Sequence, residues 1–234
     1  MSKLCIIPAR GGSKRIPRKN IRDFAGKPII AYSIETALAS GLFDEVMVST
    51  DDQEIADIAQ AYGAKVPFLR SSENADDYAT TFDVIQEVLA TYQIMGQQFD
   101  YGCCIYPTAP LLNTDRLKEG YELLVERKFI TVFPVVEFGY PIMRSLNLSV
   151  NDSVAMNWPE YRSSRSQDLQ KAFHDAGQFY WFNSVGLLNE GELFNKNSGA
   201  IQLSQIEVQD IDNFVDWKLA ELKKKLMDDE QSEI

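Results

Sequence analysis

Lys3-Leu4-Cys5-Ile6-Ile7-Pro8-Ala9-Arg10-Gly11-Gly12-Ser13-Lys14-Arg15-Ile16-Pro17-Arg18-Lys19-Asn20 decides how the rest of the chain is read. Residues 3–7 form a short, β-branched apolar run stopped by Pro8, the pattern of a strand buried on both faces. Two adjacent glycines follow at once. Without Cβ atoms they let the backbone approach an anion closely, so that its amides face phosphate oxygens. The surrounding Arg and Lys side chains supply charge-assisted bonds to such an anion. The segment is not a P-loop, which ends in Gly-Lys-Ser/Thr, nor a dinucleotide fingerprint, because no third glycine occurs before Gly26. It reads as a strand followed by a polyphosphate cradle, with a solvated basic loop as the alternative.

Outward from this segment the same alternation continues. Residues 28–39 have helical spacing (Ile29, Ile30, Ser33, Ile34, Ala37, Leu38) and end at Gly41, a C-terminal cap. Strands are expected at 45–49, 65–69, 101–106, 129–136, 179–188 and 200–208, and helices at 53–62, 81–92, 115–126 and 214–226. Asn113 or Thr114 would cap the third of these helices. The fold class is therefore α/β: a mainly parallel twisted sheet flanked by helices, Rossmann-like, in one domain over 1–234. Residues 137–176 break the pattern with mixed aromatics, prolines and Arg144, Arg162 and Arg165. They read as a small protruding lobe of strands and a helix, suited to a sugar pocket or a dimer interface. Residues 228–233 read as a solvated tail. Ligands of such sheets sit beyond the carboxyl ends of the strands. That rule selects the basic loop and Pro107-Thr108-Ala109-Pro110.

The whole chain of 234 residues carries −11, with a pI of about 4.6, which argues against a protein that coats nucleic acid or binds anionic membrane. Yet residues 10–22 hold six cations and no carboxylate, leaving the remainder at −17 against the whole-chain −11. No apolar stretch of spanning length and no signal peptide is visible, and Cys5, Cys103 and Cys104 lie in apolar runs without zinc spacing. Reduced core thiols and a cytoplasmic location are expected.

Asp210 and Asp212 stand two apart at the end of an apolar run, a spacing that in an extended strand turns both carboxylates to one face. Facing a triphosphate, such a pair suits Mg²⁺, with water and phosphate completing the octahedron. Capping of the next helix by Asp210, Asp212 or Asn213 is the competing reading. Asp51 and Asp52 are explained as a cap before the helix at 53. The single His174 is either a packed, hydrogen-bonded side chain or a ligand contact.

The loop, together with Val48-Ser49-Thr50-Asp51-Asp52, Arg70-Ser71-Ser72-Glu73, Pro107-Thr108-Ala109-Pro110-Leu111, and Asp210-Ile211-Asp212 with Asp216, resembles the CMP-sugar synthetases in motif and in order along nearly the whole chain. These cytidylyltransferases activate nonulosonic acids and 3-deoxy-octulosonate. The resemblance implies a nucleotidyltransferase fold and CTP bound by Arg10, Gly11, Gly12, Ser13, Lys14, Lys19 and Asn20. It places Arg70 and Ala79-Thr80-Thr81, Thr80 among them, near the cytosine. Mg²⁺ would rest on Asp210 and Asp212, and Arg10, Lys19 and Asp212 would act in catalysis. Arg165-Ser166-Gln167-Asp168-Leu169 resembles an element of the nonulosonate enzymes. Sugar contacts are thus expected from Tyr106, Thr108, Arg165, Gln167, His174 and Gln178. Where sialic acid synthetases tend to carry Gln and Asn-Gly, this chain has Tyr106 and Ala176-Gly177. The run from His174 to Tyr180 is most similar to the pseudaminic acid branch, which implies that sugar, a role in surface-glycan or flagellin glycosylation, and a homodimer. Legionaminic, N-acetylneuraminic and 3-deoxy-octulosonic acids are the alternative sugars. An Asp-x-Asp glycosyltransferase and a non-catalytic nucleotide sensor are the rivals from other classes; neither would release pyrophosphate from CTP and a free sugar acid.

Overall fold

The computed structural model describes residues 1–232. β1 (Lys3–Pro8) runs into a loop containing one 3-10 turn, Lys19–Ile21, then into the hairpin of β2 (Asp23–Phe24) and β3 (Lys27–Pro28), and into α1 (Ile29–Ala39). The alternation continues through β4 (Glu45–Ser49), α2 (Gln53–Ala61), α3 (Thr81–Ile94), β5 (Tyr101–Ile105), α4 (Thr114–Arg127) and β6 (Thr131–Glu137). After the hairpin of β7 (Leu146–Leu148) and β8 (Val154–Met156) come β9 (Phe173–Asp175), β10 (Phe179–Asn183), α5 (Ser184–Glu190), β11 (Ser198–Leu203) and α6 (Phe214–Ser232).

The main sheet has the order β11-β6-β10-β5-β1-β4, with β9 pairing on β6. β1 is parallel to both its neighbours, and β11 is parallel to β6. β10 enters antiparallel between β5 and β6, so the sheet is mixed, with helices packed on its faces. Period-two alternation divides the core. Cys5, Ile7, Cys103, Ile105 and Trp181 face one helical layer, while Leu4, Ile6, Cys104 and Tyr180 face the other.

A third, smaller apolar cluster matters most for function. Ile16 of the basic loop packs with Phe24, Ile29, Ile211, Trp217 and Ala220, all nearly fully buried. Each of the buried Ile and Phe side chains contributes roughly 1.5–3 kcal/mol when removed from water. Ile16 lies among the cations and Ile211 between the two aspartates. Their shared cluster therefore binds the basic loop to the acidic segment at opposite ends of the sequence.

Several elements differ from the sequence expectation. The strand expected at 65–69 is a single bridge, Met47 to Lys65, because Pro67 lacks the amide a ladder needs. The strand expected over 179–188 ends at Asn183, whose side chain accepts from the Gly186 amide at 2.8 Å and starts α5. The strand expected over 200–208 ends at Leu203, since Ser204 and Glu207 form a capping box around a 3-10 turn, Gln205–Glu207. Asp210 and Asp212 consequently lie in a loop rather than on a strand. Residues 137–176 carry the β7–β8 hairpin and 3-10 turns; no α-helix occurs there. α6 continues through the expected tail to Ser232, and Glu233 lies outside the described residues.

Candidate active site

Backbone geometry fixes the loop before any ligand is considered. The Ala9 amide bonds to the Ser49 carbonyl at 2.9 Å, continuing β1 beyond its last strand residue. Buried Asn20 donates from Nδ2 to the Arg10 carbonyl at 2.9 Å and staples the two ends of the loop together. Gly11 donates its amide to Asp51 Oδ1 at 2.9 Å, and a Cβ there would stand 2.8 Å from Asp52 Oδ2. The first glycine is thus required by close approach to β4's end, and its amide serves Asp51. Nothing lies within 4 Å of a Cβ placed on Gly12, so that residue faces open space.

Beyond the carboxyl ends of β1, β4 and β5 lies a cleft of about 430 Å³. Its cationic wall is Arg10, Lys14, Arg15 and Lys19, with Ser13 and Asn20 beside them. Its other wall sets Arg70, Asp76 and Asp77 beside the uncharged Thr80, Thr81, Val84, Tyr106 and Thr108. Arg70 is 8% exposed, donating from Nε to Ser49 Oγ at 3.0 Å and from Nη2 to the Ser49 carbonyl at 2.5 Å. Burial lowers its pKa, with Asp51 and Glu87 opposing. Thr80 is occupied as the N-cap of α3, in a reciprocal capping box with Asp83. The expected nucleotide residues therefore converge on one cleft, except Gly11 and Gly12, which form the turn behind it.

The loop cations already have anionic neighbours. Arg10 pairs with Asp77 at 2.9 Å and donates to the Asp76 carbonyl at 2.6 Å; Lys14 also pairs with Asp77. Arg15 pairs with Asp212 at 2.6 Å, and Arg18 pairs with Asp52 and Glu54. Arg18 holds the Asp52 carboxyl below its usual range. Asp52 also accepts from the Ile55 amide at 3.1 Å, the helix cap expected of it.

In the loop before α6, Asn213 Oδ1 accepts from Val215 and Asp216 amides, and Asp216 Oδ2 accepts from Asn213 and Asp212 amides. Asn213 and Asp216 therefore do the capping, and the carboxylates of Asp210 and Asp212 are left for other chemistry. Lys19 donates to the Ile211 carbonyl at 2.8 Å, between the two aspartates. Burial lowers the Lys19 pKa against the pull of Asp212 and Asp210. Burial, then Asp212, raises the Asp210 pKa. No cluster of three or more His, Cys, Asp or Glu able to hold a metal occurs among the described residues. Neither Asp210 nor Asp212 lines the cationic cleft, but Asp212 pairs with its Arg15 and Asp210 lines a neighbouring cavity; two hard carboxylates so placed fit Mg²⁺, which does not require an all-protein cage.

A second cavity of about 480 Å³ is lined by Tyr106, His174, Asp175, Tyr180, Gln205, Asp210 and Lys223, among others. Tyr106 lines both cavities. Its hydroxyl is 2.9 Å from Thr81 Oγ1, and its ring lies 5.3 Å from that of Tyr180. Tyr180 in turn donates to Asp175. His174 is exposed, with Nδ1 2.9 Å from the Asp175 carbonyl and its ring against Phe138. Gln178 is 4% exposed and donates to the Glu207 carbonyl, lining neither cavity. Arg165 pairs with Asp168 on an exposed turn, and Arg165 and Gln167 line neither cavity. Sequence reasoning passed over Asp76, Asp77, Asp175, Tyr180 and Lys223. Tyr180 sits in an aromatic strand where core and pocket positions look alike, whereas the acidic pair Asp76-Asp77 was visible as the charge complement of the loop.

Comparison with known proteins bears on this arrangement. Residues 4–223 match the model of a family described as cytidylyltransferase. A pseudaminic acid cytidylyltransferase of Campylobacter jejuni is 49% identical over 226 residues, covering 97% of each chain. A CMP-N,N'-diacetyllegionaminic acid synthase of Legionella pneumophila is 32% identical over 237 residues, again 97% of each. Among solved structures, a CMP:2-keto-3-deoxy-manno-octonic acid synthetase complexed with CTP superposes with a TM-score of 0.70 over 98% of this chain and 100% of the other. At 18% identity, that likeness speaks for the fold.

Proposed function

The chain belongs to the cytidylyltransferase family, and from that premise we propose that it joins CTP and pseudaminic acid into CMP-pseudaminate and pyrophosphate, for surface-glycan or flagellin glycosylation. The observation that carries this reading is the meeting of two cavities at Tyr106, one cationic and one bordered by Asp210. A polyphosphate in the first and a sugar in the second would bring the anomeric hydroxyl and the α-phosphorus together.

In this reading Arg10, Lys14 and Lys19 hold the triphosphate, with Gly11, Gly12 and Ser13 shaping the turn and Asn20 bracing it. Arg70, Thr80 and the neighbouring Thr81 form the base end, where hydroxyls and Val84 stand beside the buried Arg70. The anomeric oxygen attacks the α-phosphorus, the new C–O–P bond forms, the bond to the β-phosphate oxygen breaks, and the hydroxyl proton is lost to solvent. Arg10 and Lys19 stabilise charge growing on the departing pyrophosphate. Asp210 and Asp212 would hold Mg²⁺, which supplies Lewis-acid neutralisation of phosphate charge. Tyr106 and His174 border the sugar, Thr108 lines the adjoining first cavity, and Gln178 braces the segment behind. Arg165 and Gln167 line neither cavity of the single chain. Their proposed sugar contact requires the 137–176 lobe to close or a second copy to supply it. Leu146, Leu148, Val150 and Val154 expose apolar surface on that lobe, which supports a homodimer. Three free buried cysteines support a cytoplasmic setting, and no described helix is long and apolar enough to cross a membrane.

The test is a pyrophosphate-release assay with CTP and pseudaminic, legionaminic, N-acetylneuraminic or 3-deoxy-octulosonic acid, comparing kcat/KM. Preference for pseudaminic acid is expected. Preference for another sugar would overturn the specificity and leave the reaction standing.

A further inference from the structure

We propose that Asp77 is an intramolecular stand-in for phosphate, occupying the Arg10–Lys14 cation pair until a polyphosphate expels it. Asp77 Oδ1 lies 2.9 Å from Arg10 Nη1, and its other oxygen bonds Lys14 Nζ. One carboxylate thus spans two cations, as a phosphate group would. Arg10 Nη1 also donates to the Asp76 carbonyl at 2.6 Å. Arg10, Lys14, Asp76 and Asp77 all line the cleft in which the triphosphate is placed.

The segment carrying Asp77 is built to release it. Its base is tied to α3, because Glu87 accepts from the Ser71 amide at 2.7 Å and from Asn74 Nδ2 at 2.6 Å. Its far end is fixed by the Thr80–Asp83 capping box. Between these anchors Asp76 Oδ1 accepts from the Tyr78 and Ala79 amides, both at 2.8 Å, shaping a turn that holds Asp77 out over the loop. Asp77 is 40% exposed, so nothing in the core opposes its departure. A triphosphate cannot share Arg10 and Lys14 with Asp77, because like charges at contact distance repel. Binding therefore requires residues 75–78 to swing away from the loop. A singly charged anion must win the pair from a tethered carboxylate, while a polyphosphate prevails by its greater charge. Asp77 is in this sense a specificity-determining residue: it sets how strongly an anion must bind to occupy the cleft. The identity of that polyphosphate as CTP rests on the proposed function; the contest between Asp77 and an anion does not.

Calorimetric titration of the full chain with inorganic pyrophosphate, and separately with CTP, both in Mg²⁺, tests this. Asp77→Asn and Asp77→Ser are expected to tighten pyrophosphate binding about fivefold, as befits a partly exposed ion pair. Glu126→Gln, which removes one charge from an exposed site on α4 outside the cleft, is expected to leave it unchanged. Equal or weaker binding by both Asp77 variants would overturn the proposal, as would equal tightening by Glu126→Gln. If pyrophosphate behaves as expected and CTP does not bind, the nucleotide reading fails and the Asp77 contest stands.

Discussion

The two cavities that meet at Tyr106 are made of different materials. The first is charged on both sides, with Arg10 and Lys14 facing Asp77 across it; Arg15 and Arg18 of the same loop pair with Asp212, Asp52 and Glu54, which do not line it. It rests on the ends of parallel strands and on the Ile16–Ile211 cluster beneath it. The second sets aromatic rings and amides beside Asp175, Asp210 and Lys223, drawn from several segments including the antiparallel β9 and β10. The charged cavity is anchored from below, so its chemistry is fixed by a few cations in a short stretch. The other depends on side chains spread over distant segments, and specificity can vary there without disturbing the nucleotide side.

The largest break in this division is expected from Asp212→Ala. Loss of the carboxylate proposed to hold Mg²⁺ should lower kcat by about a thousandfold. The fold should survive, because Asn213 and Asp216 cap α6, so Tm should move by less than about 2 °C in a thermal melt. A large fall in Tm would mean that Asp212 acts structurally. Next comes Gly11→Ala. Its methyl would stand 2.8 Å from Asp52 Oδ2 and disturb the cap of α2 and the Arg18 pair. Such crowding costs about 1–3 kcal/mol, lowering Tm by about 2–12 °C. KM for CTP should rise while KM for the sugar changes little.

A smaller effect should follow Tyr106→Phe, which removes the hydroxyl 2.9 Å from Thr81. About 1–1.5 kcal/mol of hydrogen bonding corresponds to a five- to tenfold fall in kcat/KM for the sugar, with KM for CTP less affected. Equal changes in both would show that the cavities are not separable at this residue. The smallest effect is expected from His174→Ala. The ring is exposed and touches a neighbouring carbonyl and the Phe138 ring, so kcat/KM for the sugar should shift by about twofold.

The same contrast explains what could be read from sequence. β1, the basic loop, β4, α2, α3 and α4 were legible because apolar periodicity, Gly11-Gly12, Asp52 and Asn113 are local signals. Local signals failed where tertiary contacts decide. Residues 184–188 are apolar enough for a strand, yet Asn183 caps them into α5. The spacing of Asp210 and Asp212 implied a strand face, whereas their neighbourhood comes from Lys19 lying between them, 191 residues back from Asp210 and 193 from Asp212. Arg165 had the composition of a ligand for an acidic sugar, but its local partner is Asp168. Charge complementarity between residues 10–22 and the acids at 76–77 was present in the sequence as numbers. Only the fold brings the two together across one cleft.

The most direct test of the central claim is ³¹P NMR of the full chain mixed with CTP, pseudaminic acid and Mg²⁺. The account predicts that the CTP resonances give way to one phosphodiester signal and an equal amount of pyrophosphate. Unchanged CTP, or consumption of a supplied CMP-sugar without pyrophosphate, would contradict it.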